Sequence, residues 1–543
     1  MSRFLEKENK KWFFLMTIIM MLQFIVASYF CMQKQGYHYD EYYSYYSSNV
    51  TYGLVPTDRA WKDVNEIKSE FMVLEGEQFR YGLVKTMQSF DVHPPLYYMV
   101  LHTICSLFPG VFSKWFGLGI NLFFFVICYW MMAKIAYHVF HENKNMALLT
   151  CLLFGFQAGV LSGITFIRMY MMLTMWCLAS MIWHIPGWEK GLKFSFKRAM
   201  VLFVLVMLGF LTHYYYAVFL FFLAAYNCLH NWWGRKDFKG SVLYGCVVCS
   251  GMVVAVILYP YCLGHIFRGY RGTEATGAFF DFSNTFLRID FFTKLMNESV
   301  FGGAFWFFLI LAVVLWIAWY VKGGKKKVIR DFAKENQGMM QIGFVTLGYF
   351  LVVAKTALLN AEEANRYELP IYGFCMLLII GAIYYPLKYF TQKERNGEIR
   401  SKISQKMILF TSIVLAGMAL LFQLVSVGKG NVQFLYKEDR VNVQWAAEHK
   451  DDTVVFLYNP NNAWMVWDES EELMQYEEIY FISLADESRI EDEKLQETDE
   501  MYVYAARTEA AEKLIDKMIE DNSKLEQKEK IRELLYFDLY YVN

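Results

Sequence analysis

Functional cysteine patterns are missing from this chain. Its ten cysteines lie at positions 31, 105, 128, 151, 177, 228, 246, 249, 262 and 375, all within apolar segments. This distribution argues against a disulfide framework, and no spacing resembles that of a metal site. Cys246 and Cys249 are three residues apart, but they lie in an apolar run without histidine partners. Ordinary buried thiols are the better interpretation.

Glycine-rich phosphate loops are also missing. The sequence has neither the P-loop pattern nor the glycine pattern of dinucleotide-binding folds. Its basic residues lie in short loops between apolar runs, which is not the footprint of a nucleic-acid-binding protein. No internal repeat and no low-complexity tract is evident. The sequence therefore offers no nucleotide site and no nucleic-acid partner.

What the sequence does contain is a series of long apolar runs. Of its 543 residues, 56% are hydrophobic and 19% aromatic, and runs near 20 residues are long enough to cross a bilayer. The first follows a basic segment, is too long for a signal-peptide core and has no small-residue cleavage site, so we expect it to remain as a helix. The sequence predicts eleven spans, at about 12–32, 112–137, 146–163, 168–186, 199–212, 214–230, 241–262, 303–321, 338–358, 367–388 and 406–427.

The basic loops predict the orientation of these spans. The apolar segment 96–108 is short for a span and more typical of an interfacial helix. If it does not cross, six basic patches fall on the side of the N-terminus, as the positive-inside rule requires. We therefore expect a multi-pass protein of a bacterial plasma membrane, with a cytoplasmic N-terminus and an extracytoplasmic C-terminal region.

The charge distribution predicts a second domain. From residue 431 onward there are 28 Asp and Glu against 12 Lys and Arg, whereas the rest of the chain is basic. In this acidic region, segments 453–458, 478–483, 501–506 and 534–542 predict strands, and 510–520 predicts an amphipathic helix. We expect an all-α polytopic membrane domain over 1–427, with a first outer loop at 33–111, and a small α/β domain over 428–543.

Two polar motifs lie in that first outer loop. Asp40 and Glu41 follow the first span in a tyrosine-rich setting, where they could simply face water, or could act as a general base or hold a cation. The second motif is Asp-Val-His-Pro-Pro at 91–95. Because the residue before a proline favours an extended backbone and Pro95 can open a helix, a rigid polar turn is expected here. Its alternative is a structural helix start capped by Asp91.

Five segments together resemble the polytopic GT-C glycosyltransferases, in particular the bacterial protein O-mannosyltransferase-like and Rgt-type subgroup of family 39-like enzymes. The resemblance covers roughly residues 10–390 and leaves out the C-terminal region. The segments are Asp-Glu at 40–41, Asp-x-His-Pro-Pro-Leu-Tyr-Tyr at 91–98, Arg-Met-Tyr-Met at 168–171, Thr-His-Tyr-Tyr at 212–215 and Arg-Tyr-x-x-Pro at 366–370.

The resemblance implies an inverting transfer of a sugar from a polyprenyl-phosphate donor to a glycan, lipid or protein acceptor at the outer membrane face. It implies that Asp40 is the catalytic base, supported by Glu41 and Asp91. The implied substrate-binding residues are His93, Arg168, Tyr170, His213, Lys355, Arg366 and Tyr367. The resemblance assigns no certain cofactor. Some relatives bind a divalent cation, for which the three carboxylates could supply oxygen ligands, but no ligand set is spaced clearly enough to assert one.

Other interpretations stay open for these residues. Arg168 and Arg366 each begin a predicted span, where snorkelling to the membrane surface is common, and His213 could be an ordinary interfacial histidine. A transporter or flippase for lipid-linked glycans would place its charges near the midplane and often show repeats, and this sequence shows neither. A non-catalytic envelope-assembly protein presenting the acidic region is the third alternative.

Overall fold

A computed structural model describes residues 7–50, 57–190, 194–323, 326–392, 398–485 and 490–543. The chain forms two compact units, each assembled from separate stretches of sequence. The helical unit comprises Met1–Met32, Gln88–Tyr97 and Gly117–Phe434. The sheet unit comprises Gln33–Met87, Tyr98–Phe116 and Leu435–Asn543.

The first twelve α-helices cover the chain as far as residue 258. They are α1 Lys7–Gln33, α2 Tyr39–Asn49, α3 Val64–Ser69, α4 Tyr81–Ser89, α5 Leu96–Ser106, α6 Lys114–Val139, α7 Lys144–Phe154, α8 Ala158–Thr165, α9 Tyr170–Lys190, α10 Phe196–Thr212, α11 Tyr215–Leu229 and α12 Phe238–Leu258. A single π-helical turn, His230–Gly234, follows α11.

The remaining α-helices continue to the C-terminal region. They are α13 Tyr261–Phe267, α14 Tyr270–Phe280, α15 Thr285–Phe301, α16 Phe305–Gly323, α17 Lys326–Glu335, α18 Gln337–Thr356, α19 Leu369–Gln392, α20 Glu398–Gly428, α21 Asp439–Glu448, α22 Ser470–Leu473, α23 Glu493–Glu497 and α24 Glu509–Asp521. The described residues also form two 3-10 helices, Ala361–Tyr367 and Pro460–Glu469.

The predicted apolar spans all form helices. By length and composition, seven helices among the described residues could cross a membrane, or up to eight if the bent pair α7 and α8 forms one span. The other three predicted spans are α9, α10 and α11, with 21, 17 and 15 residues. The segment 96–108, which we expect not to cross the membrane, forms the 11-residue helix α5. The protein is thus a multi-pass membrane protein, and the all-α fold class predicted for this part is confirmed.

The predicted span 146–163 is a broken helix. α7 and α8 meet at a bend of 57°, which leaves carbonyl groups at the end of α7 without helical partners. Two buried glutamine side chains replace those partners. Gln23 Nε2 of α1 donates to the carbonyls of Cys151 and Leu152, at 2.9 Å each, and Gln423 Nε2 of α20 donates to Leu153 at 3.1 Å. Backbone groups satisfied in this way can lie in an apolar environment.

The sheet unit contains one six-stranded mixed sheet. Its strands are β1 Ala60–Asp63, β2 Val454–Tyr458, β3 Glu478–Ser483, β4 Met501–Ala506, β5 Lys528–Glu533 and β6 Phe537–Val542. Their order is β1-β3-β2-β4-β6-β5, with β2 parallel to both β3 and β4 and the other pairs antiparallel. Because β1 lies in the first loop, that loop and the C-terminal region fold together in one sheet.

One face of the sheet carries the main core of the unit. Alternate residues of β2, β3 and β4 pack against α24, for example Val455, Ile482 and Val503 against Ile515, all four with no exposed surface. This alternation follows from the two-residue period of a strand, and the opposite face of β2 and β3 is buried as well. The predicted strands at 453–458, 478–483 and 501–506 and the helix at 510–520 are confirmed. The strand predicted at 534–542 is present as β6 over its last six residues.

Candidate active site

The turn that precedes α5 carries an acid–base pair in the helical unit. His93 Nδ1 lies 3.0 Å from Asp91 Oδ2. Burial acts to raise the pKa of Asp91, but His93 and Arg168 outweigh it, so the pKa is lowered below its ordinary value of 3.8. Two prolines follow, and α5 begins at Leu96, directly after Pro95, as the sequence predicted. Asp91 is therefore a carboxylate held in a rigid turn.

A hydrogen-bonded histidine that the sequence analysis did not single out holds this turn in place. His265 of α13 lies with Nδ1 2.9 Å from the hydroxyl of Tyr214 and with Nε2 3.2 Å from the carbonyl of Ser89. A neutral imidazole can accept from the tyrosine and donate to the carbonyl at once. Because His265 stands in an apolar stretch with no motif around it, only the folded structure reveals this contact.

The link between α8 and α9 positions Arg168. Asn121 of α6 donates through Nδ2 to the carbonyls of Ile164 at 3.2 Å and Phe166 at 2.6 Å. One turn earlier in α6, a Cβ on Gly117 would lie 2.0 Å from Ile167 Cγ2. A side chain at that position would displace the link, so a glycine is required there for close packing. These contacts fix the backbone directly before Arg168.

Arg168 connects the turn to a group of rings. Its Nη2 lies 3.3 Å and 3.4 Å from the two ring nitrogens of His93, so the guanidinium lies against that imidazole. The His93 ring lies 5.8 Å from His213, and His213 lies 5.4 Å from Tyr170. Arg168 has only 2% of its surface exposed. A guanidinium with so little water around it binds an anion strongly if one is present.

His213 lies between α10 and α11 and is held in one orientation. Its Nδ1 accepts a hydrogen bond of 3.0 Å from the backbone nitrogen of Tyr215. Burial, followed by the electrostatic effects of His93 and Arg168, lowers the pKa of His213 well below its ordinary value. A neutral imidazole with an accepting Nδ1 carries its proton on Nε2. His213 can therefore donate a hydrogen bond without adding charge.

A second arginine, Arg366, belongs to the same group of residues. The Tyr367 ring lies 5.8 Å from Tyr170, and Arg366 Nη2 donates to the Tyr367 hydroxyl at 3.3 Å. The Arg366 guanidinium also lies 5.0 Å from the Phe166 ring. Like Arg168, Arg366 is 2% exposed. We name this group the arginine cluster, comprising Asp91, His93, Arg168, Tyr170, His213, Arg366 and Tyr367.

Lys355 makes a different set of contacts. Its Nζ donates to the Asp281 carbonyl, to Asn284 Oδ1 at 3.3 Å and to Thr285 Oγ1 at 3.0 Å. These acceptors belong to the connection between α14 and α15. The structure thus brings six predicted substrate-binding residues and Asp91 together, while Lys355 anchors a loop.

Asp40 and Glu41 lie in the first turn of α2, in the sheet unit. Glu41 is fully buried, lies 2.8 Å from Lys34 Nζ and accepts from the backbone nitrogen of His38 at 2.7 Å. The Asp40 side chain is 25% exposed, and its backbone nitrogen donates to His38 Nδ1 at 3.0 Å. Glu41 therefore serves the start of the helix, and Asp40 is the carboxylate of the pair that solvent or a ligand can reach.

The described part of the chain contains no cluster of side chains arranged as a metal-binding site. No group of three or more His, Cys, Asp or Glu side chains there is placed to hold an ion. The arginine cluster instead combines two desolvated guanidinium groups with tyrosine and histidine donors. Such a set suits an oxyanion, and a phosphate in particular.

Comparisons with known proteins were made for sequence and for structure. No family model matches the sequence, and no curated protein matches it. Among solved structures, ArnT from Cupriavidus metallidurans bound to undecaprenyl phosphate is similar, with a TM-score of 0.53, 10% identity and 98% of each chain covered. The apo state of that ArnT has a TM-score of 0.45 at 10% identity, covering 92% of this chain and 96% of that one.

An oligosaccharyltransferase from Archaeoglobus fulgidus, in complex with zinc and sulfate, has a TM-score of 0.43 at 11% identity. It covers 83% of this chain and 61% of that chain. The likeness to the bound ArnT structure extends over almost the entire length of both chains. This chain has the GT-C fold of polytopic membrane glycosyltransferases.

Proposed function

We propose that this protein is a membrane glycosyltransferase that takes a sugar from a polyprenyl-phosphate donor and transfers it to a cell-surface acceptor. The observation that carries the proposal is the GT-C fold shared, over 98% of both chains, with an ArnT whose structure holds undecaprenyl phosphate. At 10% identity that likeness gives the fold and not the substrate, so the chemistry must come from this chain's own residues.

The arginine cluster supports a phosphate-linked donor. In the reaction, the bond between the sugar C1 and the phosphate oxygen breaks, and the leaving polyprenyl phosphate gains a negative charge. Arg168 and Arg366 would stabilise that charge, because a preorganised cation in a site with little water is more effective than in bulk solvent. His213 would donate from Nε2 to a phosphate oxygen, and Asp91 would keep the His93 ring oriented against Arg168.

Asp40 is the proposed general base. It would take the proton from the acceptor hydroxyl as that oxygen attacks C1 from the face opposite the phosphate, so that the configuration at C1 inverts. Its partial exposure supports this role, since a base must reach its substrate. Glu41 would support it indirectly, because its ion pair with Lys34 fixes the first turn of α2.

The membrane topology completes the proposal. The positive-inside pattern supports a bacterial plasma-membrane protein with its N-terminus in the cytoplasm and its sheet unit outside. The donor would then be used at the outer face, where a lipid phosphate and not a nucleotide carries the sugar. Glycans, lipids and proteins all remain candidate acceptors.

Binding of undecaprenyl phosphate to the protein in lipid nanodiscs tests the donor assignment. Undecaprenol, which lacks the phosphate, is the comparison ligand. We expect Arg168→Gln and Arg366→Gln each to weaken phosphate binding by about tenfold or more, since a charge-assisted hydrogen bond contributes roughly 1.5–3 kcal/mol. Arg235→Gln is the matched control, because Arg235 donates to the carbonyls of Gly187 and Trp188. Equal affinity for both lipids, or wild-type affinity in both variants, would exclude this site.

A further inference from the structure

Three aromatic rings form a continuous surface in the sheet unit. The Trp464 ring lies 5.6 Å from Tyr39 of α2 and 5.7 Å from Tyr536, which precedes β6. All three side chains are partly exposed, unlike the neighbouring Trp467, which is 3% exposed. Rings that only fill a core are normally covered. We name Tyr39, Trp464 and Tyr536 the ring surface.

A carboxyl group stands beside this surface with unused hydrogen-bonding capacity. Asp468 follows Trp464 by four residues in the 3-10 helix Pro460–Glu469, and its Oδ2 is buried without a hydrogen-bond partner among the described residues. Burial, and then the Asp468 carboxyl, raise the pKa of Tyr536, so Asp468 lies within electrostatic range of this ring. An unsatisfied buried oxygen destabilises the fold. Because the Asp468 residue is only partly buried, a rotation of its carboxyl would present this oxygen to a ligand that donates a hydrogen bond and would remove that cost.

The charge around Asp468 restricts the kind of ligand. Burial, and then the nearby Asp439, raise the pKa of Asp468 to about 7. Near neutral pH this carboxyl exists in both protonation states and can donate as well as accept. It is therefore poorly suited to holding a metal ion or a permanent cation and well suited to hydroxyl groups. Asn461 and Asn462, both exposed in the same 3-10 helix, add amide donors and acceptors.

Flat aromatic faces next to a hydrogen-bonding carboxyl match one class of ligand. A pyranose ring has an apolar face of C–H groups that stacks on an aromatic ring, and hydroxyls at its edge that hydrogen-bond to carboxyl and amide groups. A lipid chain would leave Asp468 unsatisfied. A phosphate would meet acidic residues and would be repelled.

We propose that the ring surface and Asp468 bind a sugar ring of the acceptor. The role of this site in binding the acceptor rests on the proposed function, whereas sugar binding by the site can be measured independently of it. Tyr39 directly precedes Asp40 in the first turn of α2, so one turn of helix carries both a stacking ring and the proposed base. The acceptor is thereby assigned to the carbohydrate-containing class, and its sugar edge would present the hydroxyl that is glycosylated.

Calorimetric titration of the full-length protein with oligosaccharides tests this site. The protein must be in lipid nanodiscs, because alkyl-maltoside detergents carry a competing sugar. The probes are maltotetraose and chitotetraose, which offer neutral and N-acetylated rings. We expect saturable binding of at least one probe with a Kd no weaker than about 10 mM, and about tenfold weaker binding in Trp464→Ala, since stacking and area are both lost.

Matched variants separate a local effect from loss of the fold. Tyr81→Ala removes an aromatic ring of the same unit that is 38% exposed and should bind like wild type. Asp468→Asn keeps the shape of the side chain and should weaken binding, and Trp464→Phe should bind with intermediate affinity at an unchanged unfolding temperature. Saturable binding of neither probe, or wild-type binding in both Trp464→Ala and Asp468→Asn, would overturn the proposal.

The same titration on Asp40→Asn distinguishes this site from the proposed activity. We expect that variant to bind the probe normally while its transfer activity is lost. If binding is present and no variant transfers sugar from any lipid donor, the proposed function is wrong and the sugar site stands. If transfer occurs without probe binding, the sugar site is wrong and the proposed function stands.

Discussion

Glu368 provides a test of the electrostatics beside the arginine cluster. It follows Tyr367, has no exposed surface, and neither carboxylate oxygen has a hydrogen-bond partner among the described residues. Burial raises its pKa well above the ordinary value of 4.5. The folded protein should therefore hold this carboxyl protonated under conditions where the unfolded chain ionises it. Glu368→Gln keeps the shape of the side chain and removes the ionisation.

The magnitude follows from proton linkage. A carboxyl group whose pKa is raised by folding does not lower the free energy of unfolding at pH values below its unfolded pKa, near 4.5. As the pH rises from there toward the folded pKa, the group lowers this free energy. While the folded carboxyl keeps its proton, each pH unit costs about 1.4 kcal/mol. At any pH above about 4.5 and below the folded pKa, wild type should thus lose stability relative to Glu368→Gln as the pH rises.

Thermal unfolding in nanodiscs across this pH range measures the difference. Glu362→Gln is the matched control, since Glu362 is an exposed carboxylate in the 3-10 helix that ends directly before Glu368. We expect Glu368→Gln to unfold at a higher temperature than wild type at pH 7, with a smaller gap at pH 6, and Glu362→Gln to follow wild type. A constant gap at both pH values, or a destabilised Glu368→Gln, would mean that Glu368 is charged in the fold.

Two further predictions concern buried cations. Glu41→Gln should cost about 3–5 kcal/mol of stability, because it leaves the buried Lys34 uncompensated; the unfolding temperature measures this, and a double change to Lys34→Met and Glu41→Leu should recover most of it. Lys355→Met should speed trypsin cleavage after the exposed Arg268, because the connection to α15 loses its anchor. The control variant Lys322→Met, which changes an exposed lysine, should be cut at the wild-type rate. Equal cleavage rates in wild type and both variants would refute the anchoring role of Lys355.

The membrane helices were predictable because each is a long apolar run, and the central strands because each is a short, mostly apolar segment that is buried in the fold. β1 and β5 were not predicted. β1 is four residues in a polar loop, and its partner β3 lies more than four hundred positions away. β5 is mostly charged and exposed, so its sequence resembles a loop. The bend between α7 and α8 was also missed, since Gln23 and Gln423 act across the fold.

The structure brings some of the predicted site residues together and not others, because contacts between residues far apart in the sequence determine where they lie. Motifs around Asp91 and Arg168 could be recognised in the sequence, but the contact of Arg168 with His93 depends on Asn121 and Gly117 in α6. The importance of Glu368 depends on burial alone, which no neighbouring residue in the sequence indicates. Lys355 was assigned to substrate binding from its charge and depth, while its contacts are with the α14–α15 connection.

Transfer activity of Asp40→Asn tests the central claim most directly. Membranes containing normal amounts of the variant are supplied with labelled polyprenyl-phosphate sugar, and Glu75→Gln, which changes an exposed carboxylate of the same unit, is the control. We expect Asp40→Asn to lose about 10²- to 10⁴-fold in rate, the range for loss of a general base, while the control keeps wild-type activity. Undiminished transfer by Asp40→Asn would contradict the mechanism.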